Sequence, residues 1–381
     1  MKIKENSLRV NNLLSPVIDS NPFFSWELDG SPAEHQKSYK VTVTRENGSV
    51  VWTSGTVESE KRCYIHMEEK TEPLSRYLCH VEITDENGNK SSACSSFRTG
   101  KMGGEWQAKW ITGYFLRKRD DALAAPYLRK DFALSGAVKD AMLYICGLGY
   151  FVCTINGKRV NEEFLSTPYT DYSKHIFYRA FDVKDKLAEK NAIGVVLGNG
   201  FYNCFTDDPW QSRFAPWRDV PKMICELHIE YENGEKEIIS SDPSWQSSRG
   251  PITFNGIRHG EEYDANLEMP GWDTYGYTCG DSWKNARIIR PAGGELLLME
   301  MEPITLRMRR PAVRMKNYDG KTLFDIGQNQ AGVCLLTLRG KKGDKITIKY
   351  CDLIDKDGKL TQWPLSCFIK NNTFQTEDYT K

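Results

Sequence analysis

Tyr127-Leu128-Arg129-Lys130-Asp131-Phe132, Ala141-Met142-Leu143-Tyr144-Ile145 and Tyr150-Phe151-Val152-Cys153-Thr154-Ile155, the last followed by Asn156-Gly157-Lys158-Arg159-Val160, make one run of strands and tight turns. In the second segment Ala141, Leu143 and Ile145 share one face and Met142 and Tyr144 the other, the period of two expected of a strand. Asn156-Gly157 supplies the two positive φ values of a type I′ hairpin, so Lys158-Arg159-Val160 is predicted to turn back along its partner. Tyr178-Arg179-Ala180-Phe181 predicts a further strand, and Asp182 is placed to cap a short helix from Val183 to Ala188. Ala192 to Leu197 is almost uninterruptedly apolar, which suits a strand buried on both faces. Gly198-Asn199-Gly200 then predicts an open backbone largely free of side chains.

The flanks continue the pattern. Phe23-Phe24-Ser25-Trp26, Ser38 to Val43 and Tyr77 to Ile83 read as strands, with turns at Asn47-Gly48 and Asn87-Gly88. Short strands at such spacing indicate a β-sandwich over residues 1–100, and the arrangement resembles a fibronectin type III module. Lys101-Met102-Gly103-Gly104 reads as a linker into a second unit over 105–290, whose Cys225 to Tyr231 alternates and turns at Asn233-Gly234. A third unit over 303–381 predicts strands at Val333 to Leu338 and Lys345 to Tyr350. The expected class is all-β: tandem β-sandwich or jelly-roll units, the third incomplete.

The 381 residues suit two or three domains. Lys and Arg number 51, as do Asp and Glu, so no basic excess points to nucleic acid or an anionic membrane. No apolar run approaches the roughly 20 residues of a membrane span. Met1 to Val10 is charged and lacks the apolar core of a signal peptide, so a cytoplasmic location is expected. The eleven cysteines form no C-x-x-C pair and several sit within apolar strands, which predicts reduced, buried thiols.

Catalytic constellations are scarce. Gly147-Leu148-Gly149 opens a dinucleotide-type glycine pattern, but Val152 occupies the third glycine position and a strand follows where a helix is needed. Glu262 and Asp264 would share one strand face roughly 6.5 to 7 Å apart, within the range of an inverting glycosidase pair. One rigid strand leaves no cleft between them, so capping or a surface role is expected. Asp355, Asp357 and Gly358 resemble part of a calcium loop, yet Leu353 stands where the first aspartate belongs, and a hairpin turn is expected. Aromatic residues beside amides and carboxylates are more informative: Asn199, Tyr202, Asp207, Asp208, Trp210 and Trp217 fall in one irregular segment. Ring faces pack on the CH groups of a sugar while polar side chains take its hydroxyls, so these six are the candidate carbohydrate-binding residues. Plain packing of loop tryptophans on their own core is the competing reading.

Trp110-Ile111, the Gly149-to-Val160 hairpin, Thr167-Pro168-Tyr169-Thr170-Asp171-Tyr172, and Leu197-Gly198-Asn199-Gly200-Phe201-Tyr202 resemble the N-terminal domain of bacterial α-L-rhamnosidases. Gly260-Glu261-Glu262-Tyr263-Asp264-Ala265 with Gly271-Trp272, and Phe324-Asp325-Ile326-Gly327-Gln328-Asn329-Gln330-Ala331-Gly332, resemble later signatures of that family in order. Members of the family continue into an (α/α)₆ barrel that carries the catalytic carboxylates. The resemblance therefore implies that no residue here inherits a catalytic role and that this chain alone is inactive. It implies a rhamnose-containing glycoside as the partner, and calcium as a candidate cofactor, because rhamnose-binding modules of the family hold the sugar through that ion. Asn199 stands where an aspartate is common in the family. The third unit would need more chain to complete its second sheet, so its strand edges and apolar face are expected to favour self-association.

Overall fold

The computed structural model describes residues 1–30, 35–121, 123–363 and 376–380. It divides into two compact units, and each is built from mainly antiparallel sheets.

The first unit comprises Met1–Trp106 with Phe177–Ala180 and Leu296–Glu302. Its larger sheet runs in the order Val17–Ile18, Lys90–Thr99, Arg76–Asp85, Gln36–Arg45, Val50–Thr53. Alternation decides what is buried: Tyr77, Cys79, Val81 and Ile83 are at most 1% exposed, whereas Leu78 between them is 45% exposed. Phe24 and Ile65, from the facing three-stranded sheet, join them in one core with Val41, Val43 and Phe97. The turn at Asn87-Gly88 forms as expected, with Gly88 at φ 82° and the Asp85 carboxylate accepting the Asn87 and Asn89 N–H groups.

The second unit holds two facing sheets. One includes, in order, Arg287–Ile288, Ile111–Thr112, Lys222–Tyr231 and Val138–Leu148; the other runs Lys158–Arg159, Tyr150–Ile155, Lys190–Gly198, Pro126–Ala133, Gln246–Arg249, Lys284–Asn285. Leu143, Ile145, Cys225 and Leu227 of the first meet Leu128, Cys153, Ile193, Val195 and Leu197 of the second around the fully buried Trp245. The predicted hairpin is present: Asn156 and Gly157 have φ of 52° and 78°. Lys190–Gly198 is covered on its second face too, since a Cβ on Gly194 would lie 2.5 Å from Asp273 and 2.8 Å from Trp272.

Three expectations fail for identifiable reasons. Val183 to Ala188 is no helix; only Lys184–Lys186 forms a 3₁₀ turn, because six residues cannot offset the cost of nucleating a helix and the Val183 N–H is already bonded to Ala141 O. Val333 to Leu338 is no strand: Val333 and Leu335 are 69% and 80% exposed, and alternation without a partner or a buried face gives a strand nothing to pair with. Gly198-Asn199-Gly200 is not open: Asn199 is 1% exposed, and a Cβ on Gly200 would lie 2.8 Å from the Gly149 backbone.

Beyond Pro303 the chain forms a hairpin, Arg314–Tyr318 with Lys321–Asp325. Lys345–Lys349 pairs with Thr376–Thr380, which runs parallel to Gly260–Asp264 in a four-stranded sheet with Ile252–Gly256. That sheet takes strands from both sides of the expected boundary between 290 and 303. Asp355 forms the expected turn, its carboxylate accepting the Asp357 and Lys359 N–H groups. The rest of the expected third unit, 364–375 and 381, lies outside the described residues.

Candidate functional site

The loop from Asn199 to Asp219 leaves the end of the buried strand Lys190–Gly198 and is fixed there by close backbone packing. A Cβ on Gly149 would fall 1.8 Å from Gly198 O, and Gly149 itself has φ of 102°. Only glycine fits that position.

The inner side of the loop is a chain of polar contacts. Asn199 is 1% exposed; its N–H donates to Asn255 Oδ1 (2.7 Å), its Nδ2 to Asn255 O (2.8 Å), and its Oδ1 accepts from Asn203 Nδ2 (2.7 Å). Asn203, fully buried, accepts from Arg218 Nε (2.9 Å), and Arg218 Nη2 donates to Asp120 Oδ1 (2.7 Å). The Arg218 guanidinium holds the Asp120 carboxyl below the usual carboxylate range. Asp208, 1% exposed, accepts from Ser212 N (3.0 Å) and Ser212 Oγ (2.7 Å), with Arg258 Nε 3.4 Å away. Asn199 and Asp208 therefore shape the loop from within and present no side chain outward.

The outer side is aromatic. Trp210 is 60% exposed and lies against the Arg258 guanidinium, 4.8 Å from the ring centroid. Asp207 beside it pairs with Arg213 at 3.3 Å. Beneath, His259 stacks on Phe205 at 4.8 Å and its Nδ1 lies 3.1 Å from Thr206 Oγ1; burial pushes the imidazole below its ordinary value.

A second aromatic group joins the other end of the loop to the Thr167-to-Tyr172 turn. Tyr169 lies 5.0 Å from Phe201 and 6.3 Å from Trp217; Tyr172 lies 6.1 Å from Trp217 and 5.2 Å from Tyr202. Asp171 fixes the turn by accepting the Ser173 N–H at 3.1 Å and, through its backbone carbonyl, those of Lys174 and His175. Tyr202 is 1% exposed, its ring under the Lys222 ammonium, so it supports the group from below. Tyr172 Oη and Trp217 Nε1 are both buried and neither has a hydrogen-bond partner. Burial raises the Tyr172 phenol well above its ordinary range and keeps it protonated. Two polar hydrogens without acceptors, in a set of rings whose member Tyr169 is 56% exposed, match what a hydroxylated, partly apolar ligand supplies.

Of the six candidates, the structure thus brings Trp217 and Tyr202 into one ring cluster and Trp210 and Asp207 to an outer face, and it buries Asn199 and Asp208 as loop supports. Tyr169 and Tyr172, which are not among the six, belong to the same ring cluster, and two tyrosines in one loop beside Pro168 were the available signal. A calcium ion fits this donor set poorly: Asp207 and Asp208 are paired with arginines, and among the described residues no three His, Cys, Asp or Glu side chains converge. Glu262 is exposed, and Asp264 caps a short 3₁₀ turn by accepting the Asn266 N–H.

Three sequence families match. Residues 6–103 match the Rha78A-like N-terminal immunoglobulin domain, 136–308 the alpha-L-rhamnosidase N-terminal domain, and 315–380 the bacterial alpha-L-rhamnosidase concanavalin-like domain. An alpha-L-rhamnosidase of Formosa agariphila is 30% identical over 378 residues, 90% of this chain and 40% of the relative. One from Alteromonas sp. is 26% identical, over 93% of this chain and 40% of its own length. Among solved structures, the alpha-L-rhamnosidase of Dictyoglumus thermophilum superposes with a TM-score of 0.85 at 31% identity, over 100% of this chain and 44% of that one. That of Streptomyces avermitilis, solved with L-rhamnose, shares the fold with a TM-score of 0.88 at 20% identity, over 100% and 53% of the two chains. The chain spans about 40% of the length of the curated relatives it matches.

Proposed function

The chain carries the N-terminal domains of the α-L-rhamnosidase family, and on that premise we propose that its second unit is a non-hydrolytic module that binds L-rhamnose-bearing glycans at the Tyr169–Tyr172–Trp217 cluster. The observation that carries this reading is the pair of buried, unpartnered groups, Tyr172 Oη and Trp217 Nε1, within one set of rings. An unmet buried donor costs about 1 to 3 kcal/mol, so a site that retains two of them favours a ligand that supplies acceptors. A deoxy sugar does so: its hydroxyls accept from the phenol and the indole, and its methyl and CH groups pack on Tyr169 and Phe201. Hydrolysis needs two carboxyl groups flanking one glycosidic bond. Glu262 and Asp264 follow one another on a single strand, and Asp264 is engaged with Asn266, which supports binding without turnover.

Calorimetry with millimolar L-rhamnose tests the reading. Binding heat is expected, and Tyr172→Phe, which keeps the ring and removes the hydroxyl, and Trp217→Phe, which puts a smaller ring without an N–H in place of the indole, should each weaken affinity about tenfold, or about 1.4 kcal/mol. Absence of heat for the unaltered chain, with and without calcium, would leave a scaffold role in its place. Release of the chromophore from an α-L-rhamnoside by the pure chain, abolished by Glu262→Gln, would overturn the non-hydrolytic part.

A further inference from the structure

At one edge of the second unit the charges do not balance. Ile111 pairs with Met223 on one side and Ile288 on the other, and Thr112 with Arg287, so Lys222, Thr112 and Arg287 stand in one row across three strands. Ile111 and Met223 belong to the core, which turns that row to the opposite face of the sheet. Lys222 is nonetheless 1% exposed, its ammonium donating to Asp219 Oδ2 (2.6 Å) and Arg290 O (3.2 Å). Arg287 Nη2 donates to Leu116 O, while Arg287 Nε is buried and has no hydrogen-bond partner. Arg117 follows Leu116 directly. Among the described residues Asp219 is the carboxylate that pairs with this group, through Lys222, and Arg117, Arg287 and Arg290 form no ion pair. Asp120 is already engaged by Arg218 at 2.7 Å. Burial pushes the Lys222 ammonium below its ordinary value, and the Arg290 and Arg287 charges add to that against Asp219. Burial lowers the Arg287 guanidinium in the same way, with Arg117 adding to it.

From these cations around one orphaned guanidinium N–H we propose that Arg287, Arg290 and Arg117 hold an oxyanion, the carboxylate or sulfate group of an acidic saccharide. A guanidinium stays charged in any fold, so a desolvated one without an acceptor is stabilised by a ligand that brings one. Carboxylate and sulfate present paired oxygens that match the guanidinium fork, and such charge-assisted bonds are roughly twice as strong as neutral ones. The saccharide source follows from position: the Lys222 ammonium lies 5.7 Å from the Tyr202 ring, and Tyr202 lies 5.2 Å from Tyr172. The oxyanion site thus adjoins the ring cluster. That source rests on the sugar reading of the cluster; the oxyanion site itself does not.

The test is a pair of titrations of the ¹⁵N-labelled full chain, with sodium sulfate and with D-glucuronate, at an ionic strength held constant with sodium chloride. The Arg287 Nε–H resonance should move saturably with both anions, while that of Arg218, already bonded to Asn203 Oδ1 at 2.9 Å, stays fixed. Arg290→Gln and Arg117→Gln alter exposed side chains and should each weaken anion affinity about tenfold, with the unmoved Arg218 resonance showing an intact fold. An Arg287 resonance that stays still, or that answers chloride equally, would overturn the site, as would unchanged affinity in both variants. Movement with sulfate alone would refute the saccharide source and assign the site to a free inorganic ion. Neither anion contains rhamnose, so this result and the calorimetry with L-rhamnose can each fail while the other stands.

Discussion

Tyr172 and Asn203 are both buried polar residues near the same loop, yet substituting them should have opposite consequences. Tyr172 Oη has no partner, so Tyr172→Phe removes an unmet group and should leave stability unchanged or raise it by about 1 kcal/mol in urea unfolding, even as sugar affinity falls. Asn203 donates to Asn199 Oδ1 and Arg119 O and accepts from Arg218; Asn203→Ala strips a buried guanidinium of a partner and should cost about 2 to 3 kcal/mol. Equal losses in the two variants would contradict the division of the loop into supporting and ligand-facing groups. His259 adds a pH dependence. Burial holds its folded-state pKa below the ordinary 6.5, so between those two values the unfolded chain binds more protons. Stability should therefore be full above about pH 6.5 and fall as pH drops below it, and His259→Gln should flatten that slope. Little of this residue-level assignment was legible. The sequence marks Asn199 and Asp208 as polar loop residues, but whether the amide and the carboxylate face solvent or the protein interior depends on Asn255 and Ser212, 56 and four positions away.

Elements were legible where local chemistry dictates them. Asn156-Gly157, Asn87-Gly88 and the strand alternation of Tyr77 to Ile83 survive because turn geometry and a one-sided core leave one register. The helix after Asp182 failed because a cap and two apolar residues four apart do not make a helix of six residues. The strand at Val333 failed because strand formation needs a neighbour that sequence alone does not name. Gly149 shows the reverse case: as part of a glycine pattern it looked uninformative, yet it makes the tightest backbone approach near the site. Gly149→Ala would force a Cβ against Gly198 O at a positive φ and should cost more than about 3 kcal/mol, read as a lowered denaturation midpoint. Wild-type stability in that variant would show that the loop is not launched from this contact.

At the scale of the whole molecule, turn-punctuated strands indicated an all-β chain, and the two compact units, each built on facing sheets, bear that out. The role proposed for the second unit rests on Trp217 and Tyr172 meeting a sugar. The most direct measurement is therefore a titration of the ¹⁵N-labelled chain with L-rhamnose, following the indole N–H resonances. Trp217 Nε1–H lacks a protein acceptor, whereas Trp245 Nε1–H is bonded to Ser240 O at 3.0 Å and serves as the internal control. The Trp217 resonance should move saturably while that of Trp245 stays fixed; a Trp217 resonance that does not move at millimolar sugar would contradict the account.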